Sequence, residues 1–467
     1  MFVCGHPQDR DTMENLEEYL LEHVNRVDFD DLPEEVVEAC KLFVMDSLGV
    51  TFPGSMAPGC AEVVRLAKDF GGAAGATIMV YGHKTSPPMA ALANSTMMHA
   101  LDFDDTLDAS ALHTFVSVLP AALSTADHIG GVDGRTLITA LVLGVDVVCR
   151  LSYGIRRPLS WIRTATCGSF GAAATAGKIL GLDHAGLRNG LGVVYSQTAG
   201  NAQGLVEGRL VKRMQPGFAS QAGVTSAFLA RAGITGPHRF LLGPYGFYNL
   251  YEQGDIDTEP VLQELGEHYA ILDLSMKPYP CCRMTHASID AALRIKKEMA
   301  GRTADVQKVR VEVSKMVAEM VGKPFFPGAD PQVDAQFSIP YTVSVALLRG
   351  GPLLEDFELH RIRDDRVNSM ATRVEVVAVP DLPAKNITRA RISAQLASGQ
   401  RVDAEVTAPL GNPANPMDLD RCRKKFWECL SHGHAGFDRL KAQDLLHTVE
   451  HLEDLRDVRD LLLRMRY

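Results

Sequence analysis

The hydrophobic periodicity of this chain changes twice, and that change constrains its fold more than any other feature. Up to about residue 270 the apolar residues recur at helical spacing, as in 36–48 behind a helix-start signal at 30–35. Between residues 306 and 406 they mostly alternate, and Ser398-Gly399-Gln400 separates the runs 387–396 and 402–406 as in a β-hairpin. After Pro413 the helical spacing returns. The pattern predicts a mainly α fold, with a large all-helical domain built from residues 1–272 and 410–467, and a smaller α+β domain at 273–409.

The composition of the chain argues against several classes of protein. Its 467 residues carry a net charge of −10, which disfavours nucleic acid as the main partner. The longest apolar run, 137–149, is too short to span a bilayer and contains Asp146, and the start of the chain shows no signal-peptide pattern. Nine cysteines without a CxxC pair are typical of a reducing compartment. We therefore expect a cytoplasmic protein that binds neither nucleic acid nor membrane.

One segment, 168–177, consists almost entirely of small residues. Small side chains let neighbouring helices approach each other closely. The segment therefore predicts a tightly packed central helix.

The densest chemistry lies in His99-Ala100-Leu101-Asp102-Phe103-Asp104-Asp105-Thr106 and at His113. The preceding residues have the apolar spacing of a buried helix, and carboxylates at its end are costly to bury unless they are paired, bound to a cation or used in catalysis. A solvated turn, a proton-transfer site and a magnesium site on the DDxxD pattern of 104–108 are the alternatives. Magnesium is disfavoured because the second acidic motif of DDxxD synthases is missing: 364–375 has the wrong offsets. We expect no metal.

Two further segments place cations beside a helix start. Lys212 and Arg213 follow a glycine-flanked turn, before a small-residue helix predicted from Ala219 onward, which suits carboxylate binding; a basic surface turn is the alternative. In 277–286 two prolines stiffen the approach to a helix for which Thr285 is a candidate cap. The adjacent cysteines at 281 and 282 do not favour zinc, because tetrahedral sites rarely use vicinal cysteines.

Five segments in order resemble the MmgE/PrpD family and together extend over nearly the whole chain. They are HALDFDDT with His113, TATCGSFGAAATAGKILGL at 164–182, KRMQPGFASQAG at 212–223, KPYPCCRMTHASIDAAL at 277–293 and DAQFSIPYTVSVALL at 334–348. The family includes 2-methylcitrate dehydratases, cis-aconitate decarboxylases and iminodisuccinate epimerases. The resemblance implies a helical domain with an α+β lid, a homodimer, and no required metal or organic cofactor.

The resemblance also implies roles for individual residues. The catalytic candidates are Asp102, Thr106, His113 and Tyr341, and the substrate-binding candidates are Lys212, Lys277 and His286. The chain departs from the family pattern at two places. Thr114 follows His113 where relatives usually have proline, and Ile162 stands where a Trp-His-Pro triplet usually has its histidine, with Arg163 as a new cation beside it.

The expected chemistry begins with a proton next to a carboxylate. Its removal needs a histidine or an aspartate as base, and the developing charge needs fixed cations, a role suited to Lys212, Arg213 or Arg163. Dehydration, epimerisation and decarboxylation can all follow. We expect a cofactor-independent lyase on a small di- or tricarboxylate, of the 2-methylcitrate dehydratase type. The alternatives are a dicarboxylate epimerase, a cis-aconitate decarboxylase and a carboxylate-binding protein without catalysis.

The candidate residues come from both predicted domains. If they serve one reaction, they must converge on one cleft between the domains. We therefore predict that His113 and Lys212 line one cleft, faced by Lys277 or His286, with the small-residue helix packed behind.

Overall fold

The computed structural model describes residues 15–157, 161–328 and 331–467. Helices form most of these residues. The helices are Leu16–Arg26, Glu34–Gly54, Cys60–Phe70, Pro87–His99, Phe115–Ile129, Gly134–Tyr153, Arg163–Ile179, His184–Tyr195, Gln203–Val206, Val211–Arg231, Phe247–Tyr251, Glu259–Leu262, His286–Met299, Lys315–Val321, Pro331–Gln336, Ile339–Leu348, Leu359–Ile362, Asp365–Ala371, Leu419–Ser431, Arg439–Glu450 and Arg459–Arg464. The strands are β1 (Ala76–Thr77), β2 (Lys84–Thr85), β3 (Thr106–Leu107), β4 (Leu274–Ser275), β5 (Val306–Val313), β6 (Val374–Ala378), β7 (Ala390–Leu396) and β8 (Arg401–Val406).

The described residues bury two large hydrophobic cores. One core draws on residues 16–276 and 417–465, with Leu354 added, and the other on residues 279–406. The tail returns to the first core because helix Leu419–Ser431 packs on helix Glu34–Gly54. The fold is therefore mainly α. Its helical body is built from the two ends of the chain, and the smaller α+β unit is built from the residues between them. Two ladders of two-residue strands, β1–β2 and β3–β4, interrupt the body, which is not purely helical.

The smaller unit is built on a four-stranded sheet in the order β6-β5-β7-β8. β5 pairs parallel with β6 and antiparallel with β7, and β7 pairs antiparallel with β8 through a turn in which Gly399 has a φ of 82°. The inward face of β5 carries the valines at 306, 309, 311 and 313, while Lys308 and Arg310 are exposed. Helices His286–Met299 and Ile339–Leu348 pack on the sheet and on each other. The predicted alternation and hairpin are confirmed.

The small-residue segment lies in helix Arg163–Ile179, in the middle of the body. The helix contacts Phe115–Ile129, Gly134–Tyr153 and Val211–Arg231. A Cβ at Gly171 would lie 2.2 Å from a methyl of Val148, and a Cβ at Gly223 would lie 2.5 Å from the Cβ of Ala172. Glycine is thus required for the close approach, and the predicted tight central helix is confirmed.

Helix Gly134–Tyr153 has the length and hydropathy of a membrane span. In the structure 89% of its 18-residue apolar window is buried. Its Asp146 is fully buried and accepts hydrogen bonds from the backbone N–H of Ala270 at 2.6 Å and from Arg150 at 3.4 Å. Its apolar residues therefore face other helices of the body.

Candidate active site

A cavity lies where the helical body meets the smaller unit. Its enclosed volume is about 80 Å³, and about 720 Å³ when the open solvent at its mouth is included. Its residues from the body are His99, Asp102, Thr106, Ala111, His113, Ile162, Arg163, Thr164, Leu205 and Lys212, and those from the smaller unit are Cys282, Arg283, Met284, Met320, Val321, Phe337 and Ile387. The structure therefore brings Asp102, Thr106, His113, Arg163 and Lys212 together in one cavity, as the sequence predicted for His113 and Lys212.

Asp102 is held by two ammonium groups. Its backbone has a φ of 53°, a left-handed conformation that aspartate tolerates better than most residues. Lys212 Nζ donates to Oδ1 at 2.6 Å, and Lys277 Nζ donates to Oδ2 at 3.0 Å and to the backbone oxygen at 2.8 Å. Burial raises the pKa of Asp102, but the two lysines outweigh it and hold the pKa well below its usual range. Asp102 is therefore a carboxylate, and its position is fixed.

Asp104 joins two histidines beside this pair. One of its oxygens lies 2.9 Å from His99 Nδ1 and 2.8 Å from His113 Nδ1. Burial raises the pKa of Asp104, but His113 and His99 outweigh burial and hold the pKa well below its usual range. Asp104 is therefore a carboxylate, and it accepts a hydrogen bond from His99 Nδ1–H. Burial lowers the pKa of His99 to about 4. A neutral His99 with Nδ1–H has a lone pair on Nε2, which accepts from Lys212 Nζ at 3.1 Å.

His113 ends this network at the cavity. Its ring lies edge-on to that of His99, with centroids 4.7 Å apart, and its side chain is partly exposed, whereas that of His99 is buried. Its backbone N–H donates to Thr164 Oγ1 at 3.1 Å. Because Nδ1 faces Asp104, Nε2 is the nitrogen left for a ligand in the cavity.

Asp105 and Asp108 have structural partners of their own. Asp105 accepts from the backbone N–H of Thr114 at 2.9 Å and of Phe115 at 3.1 Å, and so holds the start of helix Phe115–Ile129. Asp108 accepts from Arg283 Nε at 3.0 Å and Nη2 at 3.1 Å. Asp104 and Asp105 are fully buried, so the solvated-turn alternative is wrong. Asp104 contacts His99 and His113, whereas Asp108 pairs with Arg283, which disfavours a magnesium ion shared between the two carboxylates.

A different trio, His99, Asp104 and His113, could hold a metal by proximity. Its ligand atoms all lie within 4.8 Å of one another. Both histidines direct Nδ1 at the same Asp104 oxygen at hydrogen-bond distance, so a bound ion would have to displace these contacts. The expectation that the site needs no metal stays a prediction.

The helix that carries Lys212 and Arg213 begins earlier than the sequence predicted. It starts at Val211 rather than near Ala219, so both residues lie in its first turn. Adjacent helical residues point about 100° apart, so the two side chains diverge. Lys212 lines the cavity, whereas Arg213 is buried and donates to the carbonyl of Pro58 at 2.9 Å. Arg213 borders a small adjoining recess rather than the main cavity, so its assignment to the main cavity is corrected.

The remaining predicted residues of the smaller unit lie behind the cavity. Lys277 is fully buried against Asp102 and holds that carboxylate rather than facing a ligand. His286 is also fully buried: its Nε2 lies 3.2 Å from the carbonyl of Cys281 and its Nδ1 lies 3.3 Å from Arg283 Nη1. Burial and Arg283 lower the pKa of His286 well below its usual range, which keeps it neutral. Neither residue faces the cleft as predicted.

Tyr341 is a second correction in the smaller unit. It is fully buried, its hydroxyl donates to the backbone oxygen of Asp356, and its ring packs against Phe325 and Phe357. The core of the smaller unit thus takes up this side chain, and it does not line the cavity. Thr285 does not cap helix His286–Met299 either, because its hydroxyl donates to the carbonyl of Cys282.

The structure adds residues that sequence reasoning left out of the site. His99 and Asp104 belong to the network, and the signal was their place in the same motif as Asp102. Lys425, from the carboxyl-terminal helices, donates to the carbonyl of Phe103 at 2.7 Å and pairs with buried Asp46 at 2.5 Å. No local pattern marks Lys425, because its partners lie more than 300 residues away in the chain.

Models of two family domains match the chain. The MmgE/PrpD N-terminal domain matches residues 18–259, and the MmgE/PrpD C-terminal domain matches residues 279–451. The chain belongs to the MmgE/PrpD family. Its curated relatives span nearly its whole length, so the similarity includes both units and the cavity between them.

Three relatives show what kinds of protein the chain is similar to. The cis-aconitate decarboxylase-like protein oryM of Aspergillus oryzae is 26% identical over 456 residues, 92% of this chain and 93% of that one. The cis-aconitate decarboxylase of Aspergillus terreus is 25% identical over 93% of each chain, and that of Homo sapiens is 26% identical over 91% of this chain and 89% of that one. Decarboxylases are lyases, so these relatives support the lyase class. They favour the decarboxylase alternative over the dehydratase expectation.

Proposed function

We propose that the protein is a carboxy-lyase that removes carbon dioxide from a small unsaturated polycarboxylate of the cis-aconitate type. The observation that carries the proposal is the cavity network, in which Lys212 and His113 meet beside fixed carboxylates. The names of the relatives support the same reaction class. We propose further that the reaction needs no cofactor, and that the protein is cytoplasmic and a homodimer.

The two walls of the cavity have properties that favour breakage of the bond between a carbon atom and one carboxylate of the substrate. In decarboxylation the carbon–carbon bond to one carboxylate breaks, carbon dioxide leaves, and the electron pair moves into the unsaturated acid that remains. Met284, Met320 and Ile387 form an apolar wall, which favours loss of a carboxylate as neutral carbon dioxide. Charge then builds up on a remaining carboxylate, where Lys212 can stabilise it.

The last step is the return of one proton to carbon. His113 is suited to it because Nδ1 faces the Asp104 carboxylate and Nε2 is left for the cavity. A positioned histidine of this kind contributes about 10²–10⁴-fold to the rate. The proton comes from solvent through the imidazole and replaces the carbon dioxide that leaves, so atoms and charge balance.

A second candidate function is an isomerase that removes a proton and returns it on the other face. Ile162 favours it, because an apolar side chain lines the cavity at the start of helix Arg163–Ile179, where a second titratable group would assist elimination. Lys212 would stabilise the developing charge in both reactions. His113 would remove a proton from carbon in the isomerase, whereas it delivers one to carbon in the carboxy-lyase.

The test follows cis-aconitate, 2-methylcitrate and a chiral dicarboxylate in heavy water by NMR, with trapping of carbon dioxide. Carbon dioxide release with one deuterium on the product supports the carboxy-lyase. Water loss from 2-methylcitrate would replace the proposal by a dehydratase, and deuterium exchange without bond cleavage would replace it by the isomerase. No change in any acid would contradict all three.

A further inference from the structure

Arg163 is a buried cation at the edge of the cavity. The residue is 9% exposed, and one of its nitrogens, Nη2, donates to the carbonyl of Arg157 at 2.7 Å. The other cavity cations, Lys212 and Arg283, pair with Asp102 and Asp108. Within the described ranges no carboxylate lies within 4.0 Å of Arg163. Since buried charges are costly unless paired, this guanidinium has room for an anion.

Glu252 is the acidic residue whose charge interacts with that of Arg163, but the two side chains form no ion pair. Glu252 is buried, and burial raises its pKa while Arg163 and Arg157 lower it, with a net rise. It forms no ion pair within 4.0 Å among the described residues. Glu252 is therefore a neighbour of Arg163 but leaves its guanidinium without a bidentate partner.

The start of the central helix adds a second attraction for anions. Arg163 is the first residue of a 17-residue helix, and no side chain caps it. The N–H groups of Ala165 and Thr166 donate to the carbonyl of Ile162, which leaves those of Arg163 and Thr164 as the outward donors. Ile162, Arg163 and Thr164 all line the cavity, so the positive end of the helix dipole faces the same space as the guanidinium.

We infer that Arg163 and the first turn of its helix bind a second carboxylate of the substrate. The first carboxylate is held at Lys212, which comes from a different helix and lines the same cavity. The substrate class is thus an acid with at least two carboxylates that spans the space between Lys212 and Arg163. The inference rests on the proposed function only for the view that this cavity is the substrate site.

The test measures binding rather than turnover. Tricarballylate, a saturated tricarboxylate without the double bond of cis-aconitate, is titrated by calorimetry into the full-length protein and into Arg163→Gln. Loss of a buried charge-assisted pair predicts about 10- to 100-fold weaker binding. Arg156→Gln is the matched control: it removes one arginine from the neighbouring surface, where Arg156 pairs with Asp257, and leaves binding unchanged.

Thermal unfolding of the ligand-free proteins separates this role from a structural one. Removal of an unpaired buried cation leaves the melting temperature almost unchanged in Arg163→Gln, whereas the rise caused by tricarballylate shrinks. A lower melting temperature with unchanged affinity would overturn the inference. If Arg163→Gln does not fold, Arg163→Met keeps the apolar stem and serves in its place.

Two further outcomes are decisive. Failure of the unaltered protein to bind tricarballylate overturns the inference, and so does equal binding by Arg163→Gln. Binding that depends on Arg163 without carbon dioxide release in the heavy-water experiment contradicts the carboxy-lyase and keeps the carboxylate site. Carbon dioxide release at the same rate in Arg163→Gln, with unchanged tricarballylate binding, supports the carboxy-lyase and contradicts the carboxylate site at Arg163.

Discussion

The two walls of the cavity differ in kind. The wall from the helical body presents charged and titratable groups. Asp102 and Asp104 on this wall each have at least two partners, one of which, Lys277, comes from the smaller unit. The wall from the smaller unit is mostly apolar, and Arg283, which lines the cavity from this side, pairs with Asp108. The difference suggests a division of work, in which the body performs proton transfer and charge stabilisation while the smaller unit excludes water and shapes the substrate space.

The largest effect should come from His113 on the body wall. His113→Ala should lower turnover by about 10²–10⁴-fold, the range for a positioned proton donor, with a smaller change in KM. Steady-state kinetics with cis-aconitate measures both. His360→Ala, a change of an exposed histidine in the smaller unit, is the control and should leave turnover unaltered. A drop of less than threefold for His113→Ala would contradict the assignment of proton transfer to this wall.

A change at Lys277 tests whether the stability of the body wall depends on the buried partners of Asp102. Lys277→Met removes a fully buried ammonium from Asp102 and should lower the free energy of unfolding by about 3–5 kcal/mol. Urea denaturation measures the change. Lys308→Met removes an exposed ion pair with Glu375 and should cost much less, because water screens both charges. Equal costs for the two variants would mean that burial does not set the strength of the Asp102 pair.

His99 should make the body wall sensitive to acid. Its pKa falls from 6.5 to about 4 because burial disfavours the charged form. Between these values the unfolded chain binds the extra proton, so stability is full above pH 6.5 and is lost as pH falls towards 4. The loss amounts to about 3 kcal/mol. Urea denaturation at several pH values between about 7 and 4 gives the free energy of unfolding as a function of pH. This free energy should fall less steeply with acid in His99→Gln than in the unaltered protein, and an equal fall would refute the buried neutral histidine.

The apolar wall should respond in affinity rather than in rate. Met320 is 38% exposed and lines the cavity, so Met320→Ala removes part of an apolar contact, worth about 1 kcal/mol. KM should rise about fivefold with little change in turnover. Leu440→Ala, an exposed leucine in the carboxyl-terminal helices, is the control. If Met320→Ala lowered turnover as much as His113→Ala does, the proposed difference between an apolar wall that affects affinity and a body wall that affects rate would be wrong.

Chelation should have the smallest effect. The hydrogen bond of Asp104 with His99 and its contact with His113 use the atoms that an ion would need. Activity after dialysis against EDTA should therefore equal that before it. A loss that zinc or magnesium restores would assign the trio to a metal and would change the chemistry of the body wall.

The sequence predicted the elements better than the directions of individual side chains. The strands of the smaller unit and the central helix follow from periodicity and from small residues, which are local properties. The predictions that Arg213 and Tyr341 line the cavity were wrong, because each side chain is buried in the protein interior instead. A helix start placed eight residues too late hid the divergence of Lys212 and Arg213, and the core of the smaller unit took up Tyr341. Such choices depend on packing between distant segments, which a single sequence does not display.

The loop that carries Asp102 and Phe103 is held by three lysines, at positions 212, 277 and 425. All three lie later in the chain than the loop, and the last is 322 residues away. During synthesis the loop therefore cannot gain its full set of partners until nearly the whole chain has left the ribosome. A protein truncated before the carboxyl-terminal helices would keep the acidic motif but lose one of its anchors. The order of translation thus makes the loop at Asp102 and Phe103 one of the last parts of the molecule to be fixed.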